Sequence, residues 1–327
     1  MKRDKKTRRK IIIRNTAIIL VVAFLALDIY AGNWLVNFAL SRASASGLAV
    51  APTPTTTEDT QSKVNSVWEK MSALTDSWVE SASKKEVNIS SKDGLNLIGD
   101  VFNTDENSHK WLIAVHGYTG KRQNMYSYAR YYAEKGYNIL TPDMRSHGES
   151  DGKLIGMGWL DKEDIKLWID YVLGIDPEAE IVLHGVSMGG ATVMMTSGED
   201  LPDNVKAIID DCGYTSVWDE FTDEAKYLFN VSQFPILYTA SAISKIRAGY
   251  SFQEASALEQ VKKTKIPILF IHGSEDNFVN TNMVYSLYDA CPTQKDIMVV
   301  EGAGHGQSLY LDPETYFNKV FGFIESL

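Results

Sequence analysis

His184-Gly185-Val186-Ser187-Met188-Gly189-Gly190 is a G-x-S-x-G pentapeptide set directly behind the apolar run 181–184 and ahead of a helix-forming run at 188–197. A strand, a sharp turn and a helix in that order push the middle serine out at the carboxyl edge of a sheet. Gly185 and Gly189 are needed because a Cβ beside so tight a turn would run into the neighbouring backbone. Ser187 is therefore the candidate nucleophile. A chance match in a glycine-rich loop would lack the flanking strand and helix.

The same alternation extends outward from that stretch. Short β-rich runs at 111–116, 137–141, 205–210, 266–272 and 297–300 read as strands. Residues 125–135, 160–173, 282–290 and 313–325 read as helices between or after them. Strands separated by helices imply a mostly parallel central sheet with right-handed crossovers and helices on both faces. Active sites on such sheets lie at the carboxyl ends of the strands. One interval, 211–265, breaks the rhythm: it holds Phe221, Tyr227, Phe229, Phe234 and Tyr238 but no strand pattern. A gap of that length reads as a helical lid at about 214–262, the alternative being an insertion that only packs on the side.

A serine hydroxyl needs a base, and six histidines are available. His109 lies in a polar loop. His184 and His272 end strands beside glycines, where a buried, hydrogen-bonded imidazole is expected. His116 and His147 precede glycines and shape loops. His305, in Gly304-His305-Gly306 after the last strand, remains as the general base. The acid that orients it belongs after a strand between serine and histidine, a place filled by Asp276, with Glu275, Asp210 and Asp211 as the competing carboxylates. The oxyanion donors are read as the amides of Met188, first in the helix, and of Tyr118 in His116-Gly117-Tyr118-Thr119-Gly120, whose glycines permit close approach.

From about Asp93 to the end the chain resembles the α/β-hydrolase superfamily, and is most similar to membrane-anchored or exported hydrolases of Gram-positive bacteria. The resemblance rests on the 116–120 and 185–190 stretches, Pro142-Asp-Met-Arg-Ser-His-Gly-Glu-Ser150, Asp211-Cys-Gly-Tyr-Thr-Ser216, His272-Gly-Ser-Glu-Asp276 and Gly304-His305. It implies an α/β-hydrolase fold with a helical lid insertion, a Ser187–His305–Asp276 triad, a Tyr118/Met188 oxyanion hole, and support from His116, Gly117, Gly185 and Gly189. It also implies that Asp143, Arg145 and His147 brace the site without doing chemistry.

The amino terminus carries a different message. Residues 1–14 hold eight Lys/Arg against Asp4, a local balance of +7; the whole chain is at −10, so the remainder stands at −17. An acidic body disfavours nucleic acid as a partner. The basic tip runs into an apolar run at 16–27, which reads as a signal anchor with the body extracytoplasmic. The alternatives are a signal peptide cleaved near Ala43-Ser-Ala45, which lies far beyond the apolar run, and a buried helix of a soluble protein. The expected organisation is an anchor over 1–40, a linker and amphipathic helix over 41–85, and the hydrolase body over 86–327. The two cysteines, Cys212 and Cys291, exclude a disulfide framework, and no spacing suggests a metal, P-loop or dinucleotide site, so no cofactor is expected. The expected activity is hydrolysis of a small ester, with peptide or amide cleavage, acyl transfer, or a non-catalytic surface binding module as alternatives.

Overall fold

In a computed structural model, which describes residues 5–43 and 56–327, eight strands form one sheet in the order β1-β2-β4-β3-β5-β6-β7-β8. The first two, β1 (Lys84–Ser90) and β2 (Asn96–Phe102), make an antiparallel hairpin, and β2 also runs antiparallel to β4 (Asn138–Pro142). The other neighbours, β3 (Lys110–Val115), β5 (Glu180–Val186), β6 (Val205–Asp211), β7 (Ile268–Gly273) and β8 (Lys295–Val300), pair in parallel. Because strand side chains alternate, Trp111, Ile113 and Val115 enter one apolar cluster and Leu112 and Ala114 the other. A central parallel strand is therefore apolar on both faces, which is why its run looks continuous in sequence. β1 is mostly exposed and polar, so it lacks that signal.

Helices cover both faces as the periodicity predicts: α3 (Tyr126–Ala133), α4 (Asp161–Ile175), α5 (Met188–Ser197), α9 (Asn282–Ala290) and α11 (Pro313–Ile324), the last preceded by the one-turn α10 (Ser308–Leu311). Between β6 and β7 lies the insertion, made of α6 (Val217–Phe229), α7 (Ile236–Arg247) and α8 (Ala257–Val261). Ser216 caps α6 by accepting from the Asp219 amide, and Asn230 ends it in the left-handed region at φ 52°. A further amphipathic helix, α2 (Glu58–Ser81), buries Val64, Met71 and Thr75, and its Trp78 stacks on Phe102 at 4.7 Å.

The N-terminal helix α1 (Lys5–Leu40) has two unlike halves. Up to Leu27 its large apolar side chains are mostly exposed, and the helix is long and apolar enough to cross a membrane. From Asp28 a buried stripe begins: Asp28, Gly32, Val36 and Leu40 recur at four-residue spacing, with Leu35 and Ala39 half-buried beside them. A Cβ on Gly32 would lie 2.9 Å from Thr239 Cγ2 and 3.0 Å from the Ala240 nitrogen, so glycine lets α1 and α7 touch backbone to backbone. Ser41 and Arg42, expected to begin a free spacer, are bonded to the body: Ser41 bridges Leu154, and the Arg42 guanidinium donates to Ser150 O and Gly148 O. The suggested cleavage point at Ser44 and Ala45, most of the spacer, and Lys2 and Arg3 of the basic tip lie outside the described residues.

His184, at the end of β5, is fully buried between two tyrosines. The Tyr316 hydroxyl donates to Asp211 Oδ2 at 2.9 Å, so its oxygen accepts from His184 Nε2–H at 3.0 Å; Nδ1 then accepts from the Tyr132 hydroxyl at 3.1 Å. The ring is therefore neutral, and burial pushes its pKa down to about 3. A depressed folded-state value gives stability that is present above the ordinary value of 6.5 and is lost as pH falls toward 3. Denaturant titrations at about pH 7 and pH 4 test this: the acid-induced loss of stability is smaller in His184→Gln than in the parent. Equal losses in both proteins would contradict it.

Candidate active site

Ser187 sits between β5 and α5 at φ 57°, ψ −119°, a conformation that L-residues avoid. What holds it there is local. Its amide donates to Asp211 O on the neighbouring strand at 2.7 Å, and its carbonyl accepts from Ala191 N at 2.9 Å. A Cβ on Gly185 would fall 2.1 Å from Gly189 O, and one on Gly189 would fall 2.1 Å from Val115 O. Strand, turn and helix interlock with no room for a methyl group at either glycine.

The loops after β7 and β8 deliver the other two side chains. His305 Nε2 lies 2.9 Å from Ser187 Oγ, and His305 Nδ1 lies 2.7 Å from Asp276 Oδ2. With Asp276 as acceptor, Nδ1 carries the proton and Nε2 is left to accept from the serine hydroxyl. The other carboxylate oxygen, Oδ1, accepts from the amides of Phe278 and Val279, each at 3.0 Å, and His272 Nε2 lies 3.2 Å from Oδ2. Burial alone would raise the Asp276 carboxyl, but the facing His305 and His272 imidazoles hold it well below the usual carboxylate range. The competing acids are elsewhere. Asp210 accepts from Gly213 N, Asp211 from Tyr316, and Glu275 is exposed. Of the remaining histidines, His109 pairs with Asp176 at the surface, and His147 is buried with Nδ1 at the Arg145 carbonyl.

His116 shows how the second loop is aimed. Its Nε2 accepts from the Met144 amide at 3.0 Å, which leaves Nδ1–H to donate to Gly117 O at 2.8 Å, and burial pushes its pKa down to about 4. The Gly117 carbonyl and the Tyr118 N–H belong to one planar peptide and point in opposite directions, so pinning the first orients the second. A Cβ on Gly117 would lie 3.2 Å from Val186 O and 3.3 Å from Ser187 Cβ, so a side chain there would press on the serine turn. Tyr118 and Met188 both line the cavity above Ser187, and Met188, as the first residue of α5, has no intrahelical acceptor for its N–H.

Behind this loop Asp143 accepts from the Arg122 amide at 2.7 Å and the Glu149 amide at 2.9 Å. Arg145 grips Asp164 through Nε at 2.7 Å and Nη2 at 2.8 Å. These bonds tie the loop to α4 and to the strand edge, and none of the groups faces Ser187. Arg122, which sequence reading passed over, is the hub: it also reaches Asp100 at 2.8 Å and Glu86 at 2.8 Å.

The cavity over Ser187 and His305 has a volume of about 370 Å³ and is lined mainly by aliphatic and aromatic side chains from α1, α6 and α7. Two acids also face it. Glu220 is buried, its Oε2 has no partner among the described residues, and burial drives its pKa well up. Glu224 is raised to about 7, chiefly by burial, with His305 pulling the other way. Neither acid was anticipated, because glutamates spaced four apart on a polar-looking helix read as solvent-facing. Leu35, Phe38 and Ala39 of α1 were missed for the opposite reason: an apolar stripe after an anchor reads as lipid-facing. Cys212, Asp276 and His305 offer ligand atoms within 4.8 Å of one another, but the carboxylate and imidazole already bond each other. Burial keeps the Cys212 thiol protonated, a poor metal ligand.

Comparison with known proteins agrees with this architecture. A family model described as serine aminopeptidase, S33, matches residues 106–232, and one described as serine hydrolase (FSH1) matches residues 214–306. The chain is 26% identical over 217 residues to uncharacterized protein YqkD of Bacillus subtilis (strain 168), covering 66% of this chain and 71% of the relative. It is 24% identical over 233 residues to uncharacterized protein YfhR of Escherichia coli (strain K12), covering 68% and 74%. Among solved structures, the Pyrococcus furiosus esterase Pf2001 superposes with a TM-score of 0.61 at 24% identity, covering 75% of this chain and 93% of that one. The Pyrococcus horikoshii acylaminoacyl peptidase superposes at 0.56 and 19% identity, covering 74% and 41%. The shared fold is that of the α/β-hydrolases.

The interlock at the serine turn makes a sharp prediction about glycines. Gly189→Ala forces backbone apart and is expected to cost at least about 3 kcal/mol of stability. Gly322→Ala, on α11 where a Cβ meets nothing within 4 Å, is expected to stabilise by about 0.5–1 kcal/mol. Chemical denaturation of the two variants side by side checks both signs.

Proposed function

We propose that this serine hydrolase of the α/β fold cleaves carboxylic esters through an acyl-enzyme on Ser187. The observation that carries the reading is the continuous chain of hydrogen bonds from Asp276 through His305 to Ser187 Oγ, opening into an apolar cavity. His305 Nε2 takes the hydroxyl proton as Oγ attacks the ester carbonyl. The Tyr118 and Met188 amides receive the negative charge that develops on the carbonyl oxygen. As the tetrahedral intermediate collapses, His305 gives its proton to the departing alkoxide, and the acyl group stays on Oγ. Water then attacks the acyl carbon with its proton passing to the same imidazole, releasing the carboxylic acid and restoring Ser187. Asp276, held ionised, keeps the imidazole in the right tautomer and stabilises it when charged.

An ester is favoured over a peptide by the lining. A peptide brings N–H and C=O groups that need partners once buried, whereas an acyl chain needs none, and away from Ser187, Glu220 and Glu224 the cavity wall is mainly aliphatic and aromatic. The insertion α6–α8 serves as the lid over this cavity, its Phe221 and Ala225 forming part of the lining. The exposed first half of α1 serves as a single-pass anchor, with the basic tip cytoplasmic and the acidic body outside.

Turnover of a p-nitrophenyl ester series by the full chain in detergent tests the reading. Ser187→Ala is expected to lower kcat by at least about 10³-fold and to abolish fluorophosphonate labelling, and Asp276→Asn to lower kcat by about 10³–10⁴-fold. Absence of serine-dependent turnover together with an unlabelled Ser187 would favour a binding module instead.

A further inference from the structure

We infer that the second half of the N-terminal helix is a wall of the substrate pocket, and that the substrate is a long-chain acyl ester taken directly from the bilayer the helix spans. The inference rests on the hydrolase reading above and adds the substrate class and its route. Leu35, Phe38 and Ala39 of α1 line the same cavity as Ser187 and His305, and the Ala39 carbonyl accepts from the Tyr118 hydroxyl at 2.8 Å. The residue proposed to offer an oxyanion donor is thus tied by its side chain to the membrane helix.

Geometry places this wall at the bilayer surface. An α-helix of 36 residues is about 54 Å long, well beyond the ~30 Å hydrocarbon thickness. The run of apolar side chains exposed all round the helix ends at Leu27, and contact with the body begins at the next residue, where Asp28 Oδ2 accepts from the Thr239 hydroxyl at 2.5 Å, while Ile29, Tyr30 and Trp34 stay exposed beside the buried stripe. No linker separates membrane helix from body. The helix end is stapled in place, Leu40 O accepting from Ile155 N at 2.7 Å and Arg42 N donating to Lys153 O at 3.1 Å.

The surface around that junction is apolar. Trp34 and Phe38 stack at 5.1 Å and both meet Phe229 edge-on, at 5.6 and 5.5 Å. Phe38 and Phe229 line the cavity and also reach the surface, so the lining continues outward there. On α7 and just before it, Phe234 is 74% exposed and Ile246 84% exposed, with Tyr238 half-exposed. Aromatic and aliphatic side chains in such a ring around a spanning helix belong in the interfacial layer. A cavity that opens among them faces lipid tails. Each methylene raises a substrate's preference for the bilayer about fourfold, so a long-chain ester is presented there and not in water. The reaction is the acyl transfer to Ser187 and hydrolysis already written, with the alcohol portion of the ester leaving toward the headgroup layer.

The test uses the full chain in phosphatidylcholine vesicles, with p-nitrophenyl palmitate as the membrane-resident ester and p-nitrophenyl butyrate as the soluble one. Palmitate ester co-reconstituted with the protein is expected to turn over at least about tenfold faster than the same ester held in separate vesicles; equal rates would overturn uptake from the protein's own bilayer. Leu35→Trp and the milder Ala39→Leu narrow the cavity along the helix and are expected to lower the palmitate-to-butyrate ratio of kcat/KM at least about tenfold in one or both. An unchanged ratio in both variants, with fluorophosphonate still labelling Ser187, would overturn the helix as a pocket wall. Failure of the hydrolase reading itself gives a different signature: for both esters, either no turnover with Ser187 unlabelled by fluorophosphonate, or turnover that survives Ser187→Ala.

Discussion

The structure depends on one turn. Ser187 occupies a left-handed backbone conformation that costs of order 1–3 kcal/mol, and it persists because its surroundings leave no alternative. The Asp211 carbonyl of β6 holds its amide, and the β3 backbone at Val115 closes against Gly189. Three neighbouring parallel strands therefore set the position of one hydroxyl. The loops after β7 and β8 then need only to reach across the carboxyl edge of the same sheet to bring Asp276 and His305 to it. Strand order does the work that no local sequence feature could do alone.

Around that turn the interior sorts its titratable groups by partner. Burial pushes Asp210 up to about 8 and Asp211 up to about 6, and it pushes the His116 and His147 imidazoles down to about 4 and 3. The common trend is toward neutrality, as a low-dielectric interior demands. Asp276 departs from it because two imidazoles and two backbone amides converge on its carboxylate. A permanently ionised acid beside an imidazole that can gain a proton is the asymmetry that base catalysis requires. Of the two acids that face the cavity above, burial drives Glu220 toward its neutral form and raises Glu224 to about 7.

The N-terminal helix is used twice. Its first half presents apolar side chains all round, and its second half narrows them to a stripe that begins at a buried aspartate and includes a glycine in backbone contact with α7. A membrane segment and a piece of the hydrophobic core are made of the same residue types, because both exclude water. They differ only in what lies opposite, lipid or protein.

That difference marks the boundary of what sequence can say. The strands, the helices flanking them and the loops holding Ser187, Asp276 and His305 were legible, because each is written in a local pattern: period two, period 3.6, or glycines about a forced turn. The choice of Asp276 over Glu275, Asp210 and Asp211 was narrowed by chain order and needed the loop geometry to separate a carboxylate facing His305 from one facing Gly213 or solvent. The hairpin β1–β2 escaped because its first strand is polar and exposed. Arg122, Glu220 and the Leu35–Phe38–Ala39 wall escaped because nothing near them in the chain reports their partners, which lie on elements tens to hundreds of residues away. Sequence by itself determined the fold class and the order of the site residues along the chain, since local periodicity and turn chemistry act over a few residues. Only the tertiary structure decided which apolar residues of the N-terminal helix stay exposed and which line the cavity, because burial is a property of the neighbour and not of the side chain.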